Sequence, residues 1–149
     1  MTAPLLVIAV GNRSRGDDAL GPLLLDALRA GAPDGVELLE EFQLQVEHAL
    51  DLVGRRAVLF VDASRAPVPG GAQLAALAPQ HGHPPASHAL APAAVLGVFE
   101  QVQGQRPPPA WLLAVQGEAF GLGEGLGDAA RQHLARAIEL TRAWLEERR

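Results

Sequence analysis

A strand-like apolar run, a glycine-bounded turn and a helical pattern follow one another at the start of this chain. The run is Leu5–Val10, and the turn begins at Gly11. Asp17 and Asp18 close the turn and lead into residues 19–28, which carry leucines at helical spacing. A buried strand, a tight turn and a helix form the first βα unit of an α/β fold. Ligands of such folds bind beyond the carboxyl ends of the strands, where this turn lies.

The same alternation continues along the chain. Further strands are predicted at residues 36–39, 57–61 and 111–115, with an edge strand at 72–77. Further helices are predicted at 44–53, 93–103 and 128–147, the last capped by Asp128. The pattern predicts an α/β fold: a single-domain three-layer sandwich over residues 1–149, with a mostly parallel twisted sheet and helices on both faces.

Composition limits the classes of partner. The 149 residues are 48% hydrophobic, which is enough to fill a core. The absence of cysteine excludes disulfides, thiolate metal sites and cysteine nucleophiles. The net charge of −5 argues against nucleic acid as the main partner. With neither a signal peptide nor a membrane-spanning apolar run, the sequence predicts a cytoplasmic protein that binds no membrane.

Right-handed crossovers between parallel strands bring several acidic residues to one edge of the predicted sheet. They are Asp17, Asp18, Glu40, Glu41 and Asp62. One aspartate suffices to cap the first helix, so Asp17 is expected to cap it and Asp18 to face the crevice. Asp62 ends a buried strand, where a carboxylate is costly to desolvate unless it is paired or metal-bound. A bond to a neighbouring loop would satisfy Asp62, but a ligand in the crevice is the favoured interpretation.

Three of the five histidines are candidates for completing a metal site. His81 and His83 lie in a polar loop, where they can chelate a metal or be solvated. His88 precedes a predicted helix, whereas His48 and His133 are predicted on the surfaces of helices. Two aspartates and a histidine can hold Zn²⁺ or a similar divalent ion. Such a site can activate water or hold a metal that belongs to the substrate.

Phosphate binding by the glycine-bounded turn is the competing interpretation, with Arg13 or Arg15 as the cation. The turn has neither the Gly-x-Gly-x-x-Gly register nor a Gly-Lys-Ser/Thr sequence, so the signal for a nucleotide is weak. The chain also lacks the Gly-x-Ser-x-Gly elbow of many serine hydrolases.

Three motifs, in order, resemble those of the hydrogenase maturation proteases. The first is an apolar strand, Gly11-Asn12 and then Asp17-Asp18-Ala-Leu-Gly. The second is Val-Asp62-Ala at the end of the third strand, and the third is Ser-His88-Ala-Leu before the next helix. The resemblance spans nearly the whole chain and implies a phosphorylase/hydrolase-like fold.

The resemblance implies an endopeptidase that removes the C-terminal extension of a nickel–iron hydrogenase large-subunit precursor. It implies Asp18, Asp62 and His88 as metal ligands, with Asp18 and Asp62 also catalytic. Nickel would come from the precursor, Cd²⁺ or Zn²⁺ could substitute, and the protein would be a monomer. The alternatives are a non-catalytic nickel-binding maturation chaperone of the same fold and the phosphate-binding α/β module.

Overall fold

A five-stranded sheet forms the centre of the molecule. The computed structural model describes residues 2–31, 33–82 and 89–149. The strands are β1 (Leu5–Val10), β2 (Val36–Glu41), β3 (Ala57–Ser64), β4 (Ala72–Ala76) and β5 (Ala110–Gln116). They lie in the order β2-β1-β3-β5-β4, and only the edge strand β4 runs antiparallel to its neighbour. The predicted mostly parallel sheet and its edge strand are confirmed.

Helices cover both faces of the sheet, which confirms the predicted three layers. The α-helices are α1 (Leu20–Gly31), α2 (Pro92–Gln103) and α3 (Asp128–Arg148). Short 3₁₀ helices span Gly16–Ala19, Val46–Leu52 and Pro69–Gly71. One face packs against α1 and α3, and the other packs against α2 and the 3₁₀ helix Val46–Leu52. Among the described residues, no helix combines the length and the apolar character needed to cross a membrane.

Alternation along the central strands divides the core between the two faces. In β1, Leu5, Val7 and Ala9 pack towards α1 and α3, whereas Leu6 and Ile8 pack towards α2. All five are buried, which explains the continuous apolar run. The two-residue alternation of side chains continues to the carboxyl ends of the strands, where it determines which face of the sheet each side chain occupies.

The segment predicted as a helix at 44–53 is instead the 3₁₀ helix Val46–Leu52. Its Ala49 and Leu52 are buried as predicted, but Val53 is exposed. Val53 lies beyond the helix as its C-cap residue with extended backbone, so it does not continue the buried row of Ala49 and Leu52.

Two further local predictions were wrong. His48 is buried, and its Nδ1 accepts a hydrogen bond from the Gln45 N–H at 2.8 Å. Helix α3 begins at Asp128, but Gly127 is its N-cap residue and no side chain caps it.

Gly11 is required where β1 passes into the turn. A Cβ at this position would lie well inside van der Waals contact with the Asp18 carbonyl oxygen and against the Pro22 ring. The requirement comes from the close approach of two backbone segments.

Gly11→Ala should therefore lower the free energy of unfolding by at least about 2 kcal/mol, because backbone must move to admit the methyl group. Gly31→Ala is the matched control, since a Cβ at Gly31 meets nothing within 4 Å. Urea denaturation of both variants measures the difference. Equal stability of the two variants would show that the turn opens without strain.

Candidate active site

The Asp18 carboxylate is positioned by a hydrogen bond from a backbone N–H of the same turn after β1. The Asn12 N–H donates to Asp18 Oδ2 at 2.8 Å. The Asn12 side chain in turn accepts the Ser14 N–H at 2.8 Å, which fixes the first half of the turn. Asp18 lies in the 3₁₀ helix Gly16–Ala19 and is half-buried. Its carboxylate is thus held in place and still partly open to the cleft.

Asp62 lines the same cleft from β3. It follows the buried Val61 and pairs in register with Val10, the last residue of β1. The cleft has a volume of about 490 Å³, and both Asp18 and Asp62 line it. Burial, with a smaller contribution from the negative charge of Asp18, raises the pKa of Asp62 to about 6. The structure therefore brings together two of the three predicted metal ligands.

The predicted third ligand, His88, lies outside the described residues, as does His83. Within the described ranges, no three His, Asp or Glu side chains come together as a metal site. His81 lies at α2, where its Nε2 is 2.8 Å from Glu100 Oε1. The ligand set of Asp18, Asp62 and His88 stays a prediction.

Asp17 does not cap α1 as predicted. It is buried, and its carboxylate accepts three backbone N–H groups from the glycine-rich loop after β5. The donors are Glu118 at 2.7 Å, Ala119 at 3.0 Å and Gly127 at 3.1 Å. Burial by itself raises the pKa of Asp17, but these three bonds outweigh it and hold the pKa below the ordinary value. Asp17 therefore fastens the Asp18 turn to the loop that leads into α3.

Sequence reasoning missed the cation in the cleft wall. Arg65 lines the cleft, and its guanidinium carbon lies 4.1 Å from the centre of the Phe120 ring. Phe120 belongs to the loop that the Asp17 hydrogen bonds hold in place, so these bonds also support the cation–π contact that positions Arg65. The sequence does place Arg65 three residues after Asp62, and this spacing could have suggested a cation near the cleft. The contact between Arg65 and Phe120 joins residues 55 positions apart, so the sequence could not predict it.

Most groups of the turn after β1 that could bind phosphate are already bound within the protein, although the Arg15 side chain is exposed. Arg13 forms paired bonds of 2.7–2.8 Å with Asp26 and Glu40. These bonds raise the pKa of Arg13 and lower those of both acids. Most backbone N–H groups of the turn are also bound within the protein: those of residues 11, 12, 14, 15, 17 and 18. The geometry favours the acid-bearing interpretation of the turn over the phosphate cradle.

Solved structures give the resemblance a three-dimensional basis. The sequence matches no protein-family model and no curated protein. The structure, however, matches the hydrogenase maturating endopeptidase HybD from E. coli with a TM-score of 0.74 and 26% identity, over 96% of this chain and 92% of that chain. The chain shares the fold of the hydrogenase maturation proteases.

Two archaeal structures extend this likeness. The [NiFe] hydrogenase maturation protease HycI from Thermococcus kodakarensis matches with a TM-score of 0.68 and 22% identity, over 97% of this chain and 93% of that one. The hydrogenase 2 maturation peptidase from a Thaumarchaeota archaeon matches with a TM-score of 0.69 and 21% identity, over 95% and 97% of the two chains. The maturation protease fold thus accounts for nearly the whole length of this chain.

Asp17→Asn should destabilise the fold by about 2 to 4 kcal/mol, because a neutral amide replaces a buried charged acceptor of three backbone hydrogen bonds. Asp18→Asn is the adjacent control and should change the free energy of unfolding by under about 1 kcal/mol, since Asp18 is half-buried and accepts one backbone bond. Chemical denaturation measures both. A larger loss from Asp18→Asn would reverse the roles assigned to the two aspartates.

Stability should also depend on pH through Asp62. The pKa of Asp62 is raised from 3.8 to about 6 in the folded protein, so folding favours the protonated carboxyl group. The contribution of Asp62 to the free energy of unfolding is therefore highest below pH 3.8 and falls as the pH rises through about 6. Asp62→Asn should therefore stabilise the protein by about 1 to 2 kcal/mol at pH 8 and leave it unchanged at low pH. Unfolding curves at a series of pH values test this expectation. A constant difference across the series would contradict it.

Proposed function

We propose that this chain is an endopeptidase that removes the C-terminal extension of a nickel–iron hydrogenase large-subunit precursor after nickel insertion. The observation that carries the proposal is the pair Asp18 and Asp62, which come from the turn after β1 and from strand β3 and line one cleft. The likeness to the maturation protease fold supports the same reaction. We further propose that the protein acts in the cytoplasm as a monomer.

Nickel enters this scheme as part of the substrate. Asp18, Asp62 and His88 would contact the ion, since carboxylate oxygens and an imidazole nitrogen suit a divalent cation of this type. Cleavage would then depend on correct metal loading, because an empty precursor lacks one of the groups that the cleft recognises. The scissile peptide bond would lie beside the ion in the same cleft.

Hydrolysis needs a base for water and a donor for the carbonyl oxygen. A carboxylate of the pair takes a proton from water as the water oxygen bonds to the carbonyl carbon. The C–N bond then breaks, and that proton passes to the leaving nitrogen, giving a carboxyl group and an amine. In the cleft without a metal ion the pKa of Asp62 is about 6, near neutral pH, which suits a proton acceptor; a bound cation would lower this pKa. Arg65 would donate to the carbonyl oxygen as negative charge develops there.

Asp18→Asn and Asp62→Asn should each reduce processing of a nickel-loaded precursor by at least about 100-fold, because each variant removes a charged oxygen ligand and a proton acceptor. The shift of the precursor to a shorter product on a denaturing gel measures the reaction. Asp34→Asn is the matched control, since Asp34 is exposed and lies outside the cleft. The same precursor without nickel should stay uncleaved.

The outcomes separate the peptidase from its alternatives. Full cleavage by Asp18→Asn would refute the proposed role of the pair. A wild-type protein that binds the nickel-loaded precursor and yields no shorter product would be the non-catalytic chaperone.

Divalent cations should stabilise the protein directly. Ni²⁺, Cd²⁺ or Zn²⁺ at 100 times its dissociation constant should add about 2.7 kcal/mol, because only the folded chain presents the assembled ligands. The rise in melting temperature should disappear in Asp18→Asn and Asp62→Asn, and ATP should produce none. A shift with ATP and none with metal would favour the phosphate-binding module.

A further inference from the structure

One stretch after β2 exposes an unusual amount of apolar surface. Six large apolar side chains are exposed among the described residues, and four of them lie between positions 42 and 53. Phe42 is 78% exposed and Leu50 is 61% exposed. The other two lie apart from this stretch, Val102 in α2 and Leu122 in the loop between β5 and α3. Single exposed apolar residues are ordinary, but a concentration of this kind marks a contact surface.

Acidic side chains surround these two residues. Both apolar side chains and three acidic side chains line a hollow of about 630 Å³. We call this surface the acidic–apolar groove and define it by Glu41, Phe42, Glu47, Leu50 and Asp51. The chain has no lysine, and no arginine between Arg29 and Arg55. Within the described part of the chain, Glu47 and Asp51 form no ion pair with an arginine, and Glu41 faces only the His48 ring, at 3.5 Å. The groove therefore carries acidic side chains that no ion pair with an arginine neutralises, although Arg55 donates to the Asp51 carbonyl beside it.

The 3₁₀ helix Val46–Leu52 builds this surface. Side chains three residues apart align on such a helix, so Glu47 lies in one row with Leu50, and His48 in the next row with Asp51. The inward row, Ala49 and Leu52, is buried against the sheet. Apolar and acidic groups are thus presented outward on a helix that the core holds in place.

The groove lies beside the cleft, on the same face of the sheet. Glu41, Val10 and Asp62 are partners in register at the carboxyl ends of adjacent strands. Val10 packs with the core on the α2 face, and period-2 alternation in β3 directs Asp62 to the face of Phe60, which belongs to that core. Two strand spacings separate Glu41 from Asp62 by about 10 Å, which about three extended residues can span.

We infer that the acidic–apolar groove docks a segment of the substrate protein that carries apolar side chains beside arginine or lysine. The inference rests on the proposed function, because it places this segment on the same protein whose peptide bond enters the cleft. Apolar side chains would cover Phe42 and Leu50, and the basic groups would pair with Glu47 and Asp51. A second copy of this chain is a poorer occupant, since a two-fold contact would set these acids against the same acids.

The affinity for a nickel-free precursor measures the contribution of the groove alone, because this precursor lacks the metal ion that the cleft would bind. Biolayer interferometry would compare wild type with two double variants, Phe42→Ser/Leu50→Ser and Glu47→Lys/Asp51→Lys. Each should raise the dissociation constant by about 10-fold or more, since central contacts dominate interfaces. Added salt should weaken binding of the wild type more than that of the charge-reversed variant. The matched controls are Val102→Ser, which is equally exposed, and Glu139→Lys on α3; both should bind as wild type does.

The outcomes distinguish the groove from the peptidase activity. Unchanged dissociation constants in both double variants, with unchanged melting temperatures, overturn the groove whatever happens to the nickel-loaded precursor. If the groove variants weaken binding but the wild-type protein does not cleave the nickel-loaded precursor, the groove is supported and only the proposed peptidase activity is refuted. Sedimentation tests the other occupant: a wild-type dimer that Phe42→Ser/Leu50→Ser abolishes, with precursor binding intact, would assign the groove to a second copy and overturn the inference.

Discussion

The buried carboxylate of Asp17 is the interaction on which the candidate site depends. It binds three backbone amides from residues about 100 positions later in the chain, including the residue that precedes α3. On one side it fixes the turn that carries Asp18. On the other it fixes the loop that carries Phe120, against which Arg65 rests. Loss of this carboxylate would release two walls of the cleft at once, so the geometry of the site and the stability of the fold are coupled through a single residue.

Asp17 and Asp62 show how environment gives one residue type two roles. Three amide donors satisfy Asp17, and its pKa is lowered despite burial. Asp62 lies in a partly buried cleft beside a like charge, and its pKa is raised to about 6. The first arrangement stabilises the charged form in the fold, whereas the second disfavours it. A carboxylate kept at a disadvantage beside another carboxylate is typical of a site that binds a cation or moves a proton.

The sequence predicted what local pattern determines. Apolar runs and helical spacing located β1, α1 and the buried part of β3, although β3 continues past Asp62 to Ser64. Crossover handedness brought the acids to one edge. Local pattern could not reveal that Asp17 bonds to a loop about 100 residues away, because N-capping and a tertiary bond need the same residue type at the same position. Nor could it separate an α-helix from a 3₁₀ helix at 46–52, where both place Ala49 and Leu52 inward. The placement of His88 rests on the family resemblance alone.

The distribution of charge connects the cleft with the groove. Near β2, Arg13 neutralises Asp26 and Glu40, and Arg55 neutralises Glu37. The acids that form no ion pair with an arginine in the described structure include Asp18 and Asp62 in the cleft, although Arg65 lines the same cleft, and Glu47 and Asp51 in the groove. A substrate that carries a metal cation and a nearby basic segment would therefore meet two negative sites on one edge. Attraction by both would raise the rate of encounter and set orientation, because only one direction of the bound segment places the cation in the cleft. In the described structure, arginines thus pair with Glu37, Asp26 and Glu40, whereas the acids of the cleft and the groove keep their charge without an ion pair to arginine.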